Sequence, residues 1–378
     1  MADPAARDPR LPWLRLAGLT WLGDTIKAGL IKEFGSPERV FAARPEELAR
    51  VPGWTTARLR RFLEQAPRAA PLCAPDLLDR TGVRLVRFTD DDYPPLLRQI
   101  PDSPVVLFIK GTLPPPDRPC LAIVGARQGT QLGFDIARDF AHALAAAGFV
   151  IVSGLALGID TFAHLGALDA DGLTLAVLGS GPDVVYPTGN RRVRERILQR
   201  GALVSEYPPG TIARPWHFPV RNRIIAGLCH GTLVVEASAR SGSLITARLA
   251  AEQNRDVFAI PGSIRSRAAE GTIALLQEGA QVVARPDDLI AHYAHLLPAR
   301  PAPATDPVDH ADQKFDDDEW ALLSAIADEP VPLDRLLLDG RWSRDRLFSL
   351  LLTLEMRDAL VKLPGNHFQS KTKTPLGR

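Results

Sequence analysis

Val152-Ser153-Gly154-Leu155-Ala156-Leu157-Gly158-Ile159-Asp160-Thr161-Phe162-Ala163-His164 joins the end of a β-branched run to the start of a helix. Residues 150–152 read as a strand and Ser153-Gly154 as the tight exit from it. Asp160 and His164 are four apart, so on a helix they share a face. A hydrolase or metal site could use that pair, with Glu206 and Glu236 as further carboxylates. A structural reading has Asp160 capping the helix start and His164 pairing with it. The chain supplies no Glu-x-x-His, Cys-x-x-Cys or G-x-S-x-G to support catalysis.

The same alternation repeats along residues 82–297. Apolar runs at 121–124, 150–152, 175–178, 203–204, 233–235, 257–259 and 281–283 are separated by amphipathic stretches. One of these sets Ile136, Phe140 and Leu144 on a single stripe. Strands alternating with helices of this length predict βαβ units. The expected fold is α/β, a Rossmann-like, mostly parallel, doubly wound sheet. Residues 83–88 and 105–109 are candidates to extend it, with Tyr93-Pro94-Pro95 as a turn between them.

In such a sheet the ligand lies beyond the carboxyl ends of the strands. Gly125-Ala126-Arg127, Ser153-Gly154, Gly179-Ser180-Gly181, Glu206 and Glu236 all fall there. Gly125, Gly129 and Gly133 are four apart, unlike the G-x-G-x-x-G of dinucleotide folds, and there is no G-K-[ST] phosphate loop. The first loop offers amides at a helix N-terminus, glycines that admit a ligand, and Arg127 as a charged partner, which suits phosphate. A tight turn with a surface arginine would use the same residues. Ser241-Gly242-Ser243-Leu244-Ile245-Thr246 is a further anion-friendly turn.

His217-Phe218-Pro219-Val220-Arg221-Asn222-Arg223-Ile224-Ile225-Ala226 narrows the ligand class. Arginine forks grip phosphate in a bidentate way, and an aromatic ring beside them is a platform for a nucleobase. The alternative is a charged helix start with Phe218 packed inside. With a net charge of +1 over 378 residues, any nucleic-acid site must be a local patch. Cys73, Cys120 and Cys229 fit neither a disulfide framework nor a zinc site, so they read as reduced core thiols. The N-terminus has no apolar signal segment and no run approaches membrane-spanning length, so a cytoplasmic protein is expected.

Both flanks differ from the centre. Residues 1–75 read as short helices, stopped once by Gly35-Ser36-Pro37. Residues 48–62 resemble a helix-hairpin-helix, with Thr55 where its second glycine usually stands. That turn can hold a DNA phosphate, or the helices can serve packing or protein contact. Residues 298–316, with four prolines and Asp316-Asp317-Asp318 beyond them, read as a linker. Three helices at 320–326, 333–338 and 344–356, then a two-stranded wing turning at Pro364-Gly365, make residues 317–368 winged-helix-like. The third helix is too apolar for a major groove, which favours protein contact.

Ile123-Val124-Gly125-Ala126-Arg127, residues 152–164, Tyr186-Pro187, Ser205-Glu206, Phe218-Pro219-Val220-Arg221-Asn222-Arg223, Val235-Glu236-Ala237, Ser241-Gly242-Ser243 and Ile260-Pro261-Gly262 together resemble the DNA-processing protein A (DprA/Smf) family. The flanking helical (SAM/helix-hairpin-helix-like) and winged-helix-like domains fit its longer members. The resemblance implies a cytoplasmic bacterial protein, homodimeric through its Rossmann-like domain. It would bind single-stranded DNA and load the RecA recombinase in natural transformation, with no cofactor, metal or enzymatic turnover. By matching position, Gly125, Arg127, Ser153, Gly154, Phe218, Arg221, Asn222, Arg223, Ser241, Gly242 and Ser243 would line the DNA groove. Arg214-Pro215-Trp216 stands near where members can have a lysine, with Arg214 as the candidate substitute. Two rivals compete: a nucleotide hydrolase using Glu236 in the same pocket, and a double-stranded DNA regulator acting through the C-terminal module.

Overall fold

The computed structural model describes residues 8–297, 315–326, 331–357, 359–363 and 367–370. The chain divides into two compact units, Met1–Pro298 and Ala299–Arg378.

The first unit is built on nine strands: β1 (Arg84–Arg87), β2 (Val106–Gly111), β3 (Cys120–Val124), β4 (Val150–Ser153), β5 (Thr174–Val177), β6 (Ala202–Ser205), β7 (Gly231–Val234), β8 (Asp256–Ala259) and β9 (Gln281–Val282). Their order is β1-β2-β6-β5-β4-β3-β7-β8-β9. From β6 to β9 every pairing is parallel, whereas β1 and β2 extend the β6 edge antiparallel. The expected extension from 83–88 and 105–109 therefore exists, as an antiparallel hairpin. The chain winds outward from β3 in one direction through β4, β5 and β6, then returns to the other side for β7. The switch point lies between β3 and β7.

Helices cover both faces, so the parallel strands read as apolar runs rather than alternating ones. Leu121 and Ile123 of β3 pack with Ile151, Leu233 and Phe258 under the helices Gln131–Ala147 and Ile159–Asp169. Ala122 and Val124 face the other way, with Val152, Val177 and Val204, under the helices His217–Gly227 and Ser243–Glu252. Phe140 and Leu144 of the expected stripe are buried, and Ile136 packs at its edge.

The N-terminal helices do not build a core of their own. Leu14, Leu16, Leu30 and Ile31 are buried together with Val86, Phe108 and Val204, because the antiparallel hairpin leaves an apolar face that they cover. Each such side chain contributes about 1.5–3 kcal/mol through burial, so residues 1–75 and the sheet share one unit. The helix Asp24–Phe34 ends at Gly35 in the left-handed conformation, and Ser36 caps the next helix through Arg39 N. Thr55 has a similar role. Its hydroxyl accepts from Arg58 N at the start of the helix Thr56–Gln65, in which Phe62 packs edge-on against Trp54.

In the second unit the helices Asp317–Ala325, Leu333–Leu338 and Arg344–Met356 pack on strands β10 (Val331–Pro332), β11 (Leu360–Leu363) and β12 (His367–Ser370), ordered β10-β12-β11. Its core holds Leu322, Leu336, Leu347, Leu350, Leu354 and Phe368. Asp316 caps the first helix, and Asp317 and Asp318 stand in its first turn. Asp316 and Glu319 form a reciprocal cap, and acidic groups complement the helix N-terminus. The linker prolines and the Pro364-Gly365 turn lie outside the described residues.

Candidate nucleic-acid interface

A cleft of about 1060 Å³ opens at the carboxyl ends of the strands, across the switch point. Its walls are Gly125, Ala126, Arg127, Gln128 and Thr130 after β3, Ala156 and Leu157 after β4, the start of the helix His217–Gly227, Ser238, the Ser241-Gly242-Ser243 turn, Ile245 and Thr246 after β7, and Ser266 to Ala268 after β8. Among the described residues, Arg127, Arg221 and Arg267 line it, against one lining carboxylate, the buried Asp160. The cleft is therefore locally positive although the chain is nearly neutral.

Phe218 stands at the mouth, partly exposed. The exposed Arg127 guanidinium lies 5.3 Å from its ring centre, and the half-exposed Tyr186 ring is 5.6 Å away and tilted by 30°. An aromatic pair with an adjacent exposed cation suits a base–phosphate unit. His217 prepares this arrangement from behind. It is buried, stacks on Tyr207 at 4.1 Å and hydrogen-bonds the Gly179 carbonyl through Nδ1.

Arg221 is at the cleft floor, 3 % exposed. It donates to the carbonyls of Gly154 and Val177, tying the ends of β4 and β5 together. Burial pulls its guanidinium down to about 10, against the attraction of Asp160. Gly154 is glycine for this reason: a Cβ there would fall inside the Arg221 guanidinium. Asp160 holds the loop that follows, accepting from the amides of Gly154 and Ala156, and burial raises its pKa. It follows Gly158, the capping residue, and the expected partnership with His164 does not form. His164 instead bonds Thr174 Oγ1 at 2.7 Å, and burial lowers it to about 3.

Two expected groove residues point elsewhere. Arg223 faces the N-terminal helices and is buried in ion pairs with Asp24 (2.8 Å), Glu206 (2.5 Å) and Asp102 (3.4 Å). Ser153 is fully buried and donates to the Ile123 carbonyl. Neither side chain lines the cleft. Glu206, mostly buried, is raised by desolvation against the pull of Arg223.

The first loop is also organised differently from the expected phosphate cradle. Glu236 accepts from Thr130 N at 2.8 Å and from Thr130 Oγ1 at 2.6 Å, while Thr130 caps the helix through Gly133 N. A Cβ on Gly133 would collide with the Glu236 carboxyl group, so this glycine admits the protein's own carboxylate. Among the described residues Arg127 has no carboxylate partner, and its guanidinium lies over the Phe218 ring. After β7, Ser241 and Ser243 share a hydroxyl hydrogen bond of 2.7 Å, and Asn222 Nδ2 donates to the Gly242 carbonyl. Gly125, Arg127, Phe218, Arg221, Asn222, Ser241, Gly242 and Ser243 thus meet at one cleft.

Tyr186, Gln128 and Arg267 were not marked as site residues by their sequence, although they line the cleft. Arg267 follows β8, and its position beyond a strand's carboxyl end was the available signal. Among the described residues no group of three or more His, Cys, Asp and Glu is placed to hold a metal, and no helix is long and apolar enough to cross a membrane.

Comparison with known proteins gives a consistent picture. Residues 84–294 match the family model of DNA recombination-mediator protein A, and residues 298–366 match the DprA winged helix domain. The chain is 32% identical to Protein Smf of Synechocystis over 95% of its own length and 98% of that protein. It superposes on DNA processing protein A of Streptococcus pneumoniae with a TM-score of 0.62 and 37% identity, covering 73% of this chain and 95% of that one. The Helicobacter pylori protein, whose structure concerns a single-stranded DNA binding mode, matches with a TM-score of 0.51 and 28% identity, over 58% of this chain and 99% of that one.

Proposed function

Because the chain belongs to the DNA recombination-mediator protein A (DprA/Smf) family, we propose that it binds single-stranded DNA in the cleft across β3 and β7 and delivers the strand to a RecA-type recombinase. The observation that carries this reading is the open cleft mouth, where Arg127 and Tyr186 flank Phe218. Phe218 and Tyr186 offer π-faces to bases, Arg127 takes a phosphate, and Asn222 with the Ser241-Gly242-Ser243 turn supplies neutral donors. These contacts read no base edge, so binding is sequence-tolerant. Arg221 serves the same site from below, by holding the strand ends that carry these groups.

The reading is of binding without turnover in the bacterial cytoplasm during recombination and natural transformation. It is supported by how the acids are used: Glu236 is bound to Thr130, Glu206 to Arg223, and Asp160 to two amides. Two paired copies would place two clefts on one strand, and avidity would hold it better than either alone.

Titration of the full chain with labelled single-stranded and duplex DNA of one sequence tests the proposal. Tighter binding of the single strand, independent of its sequence, is expected. Equal or tighter duplex binding would overturn it.

A further inference from the structure

Arg267 is an exposed side chain on the β8 wall of the cleft. It has no carboxylate partner among the described residues. Its backbone is nevertheless fixed. The Ala268 carbonyl accepts from Ala237 N at 2.8 Å, and Gly271 N donates to the Ala237 carbonyl at 2.7 Å. Both bonds anchor the Arg267 loop to the residues that lead from β7 into the serine turn. A surface arginine on a loose loop would lack such anchoring.

We propose that Arg267 is a second phosphate contact, opposite Arg127, so that the cleft grips two different phosphates of one strand. The proposal rests on the single-stranded DNA reading above and deepens it. The two arginines come from loops after different strands. Arg127 follows β3 and leans away from β8, over Phe218 and beside Gly154, Leu178 and Tyr186. Arg267 enters from β8, and β7 lies between β8 and β3. The strands that lead to them, β3 and β8, are two spacings or roughly 10 Å apart, whereas an arginine fork holds phosphate oxygens at about 2.8 Å. Apart from the buried Arg221 and Asp160, the rest of the lining is neutral and includes Ser238 and Ser241. The arrangement fits a polyanion that crosses the cleft, with cations where it enters and leaves. A nucleoside monophosphate has a single phosphate and could satisfy only one of them.

The test is a double-variant cycle with a labelled thymidine 20-mer and the full chain, using Arg127→Ala, Arg267→Ala and the double variant over a salt series. Each single variant should weaken binding about tenfold and lower the salt slope by about 0.7. The double variant should multiply the losses to about a hundredfold and lower the slope by about 1.4, because separate contacts add. Arg267→Lys should restore most of the slope. Unchanged affinity and slope in Arg267→Ala would overturn the proposal. A double variant no weaker than Arg127→Ala would also overturn it, since both arginines would then hold one phosphate. Failure of the parent chain to bind the 20-mer would instead remove the single-stranded DNA reading itself.

Discussion

The Glu236 carboxylate occupies the space that a side chain on Gly133 would fill, and from there it binds the amide and hydroxyl of Thr130. Strand β7 is thereby tied to the helix that begins after β3, across the switch point. Gly133→Ala should push Glu236 out and lower stability by about 1–3 kcal/mol. Glu236→Ala should remove the collision, so that adding Gly133→Ala to it costs much less than in the parent. Denaturant midpoints for the four proteins measure this coupling. A Gly133→Ala variant as stable as the parent would contradict the packing.

Arg221 and Asn222 are adjacent in sequence but should fail in different ways. Arg221→Met removes a buried guanidinium from two carbonyls and leaves Asp160 buried without its nearest cation. A loss of roughly 2–3 kcal/mol or more in stability is expected. Asn222 is partly exposed in the cleft wall, with one long bond to Gly242. Asn222→Ala should stay within about 0.5 kcal/mol of the parent in stability and weaken strand binding. Melting curves and affinities on the same preparations separate the two, and a stable Arg221→Met that merely binds weakly would return Arg221 to direct phosphate contact.

His164 gives the fold a pH dependence of definite sign. It is neutral and fully buried, with its pKa lowered to about 3 from an ordinary 6.5. Between these values the unfolded chain binds a proton that the folded chain does not, so stability falls as pH falls, by about 1.4 kcal/mol per pH unit from this residue. Asp160 and Glu206, raised by burial, act in the opposite direction in the acid range. His164→Gln isolates the histidine. Its stability deficit against the parent should narrow by about 2 kcal/mol between pH 7.5 and pH 5, in denaturant titrations at both values. A constant deficit would mean that His164 takes up its proton in the fold as readily as in the unfolded chain.

The central fold was legible because parallel strands covered on both faces must be apolar throughout, and residues 121–124, 150–152 and 233–235 are. The cleft was legible for the residues that stand at strand ends, such as Arg127 and Ser241. Helix periodicity sets Arg221 and Arg223 on opposite faces, since residues two apart differ by about 200°, but it does not say which face meets the cleft. One meets the sheet, and the other meets Asp24, 199 positions away in the chain. No local spacing encodes that partner. Glu236 was read as a possible acid for the same reason: its role depends on Gly133 and Thr130, which come from a strand–helix junction about a hundred residues earlier. Residues 1–75 looked separate because their helices are short and polar outside. The apolar face that they cover belongs to the β1–β2 hairpin, whose antiparallel course the sequence did not specify.

Phe218→Leu should weaken binding to an ordinary single strand more than to an abasic strand of equal length. The ring is partly exposed, with Arg127 at 5.3 Å and Tyr186 at 5.6 Å, so base stacking and phosphate contact are neighbours. Stacking contributes about 1–3 kcal/mol per base. Leucine keeps much of the apolar bulk but loses the π-face. An abasic strand presents phosphates without a base, so the substitution should matter little for it. The inner side of the ring also rests on Gly179, where a Cβ would come within 3.0 Å of it. A mainly structural role therefore makes a different forecast: a lower melting temperature and equal losses on both strands. Melting temperature and the two affinities, measured on one preparation, decide between them. Equal weakening together with a fall in melting temperature would assign Phe218 to packing, and base stacking would then have to come from Tyr186.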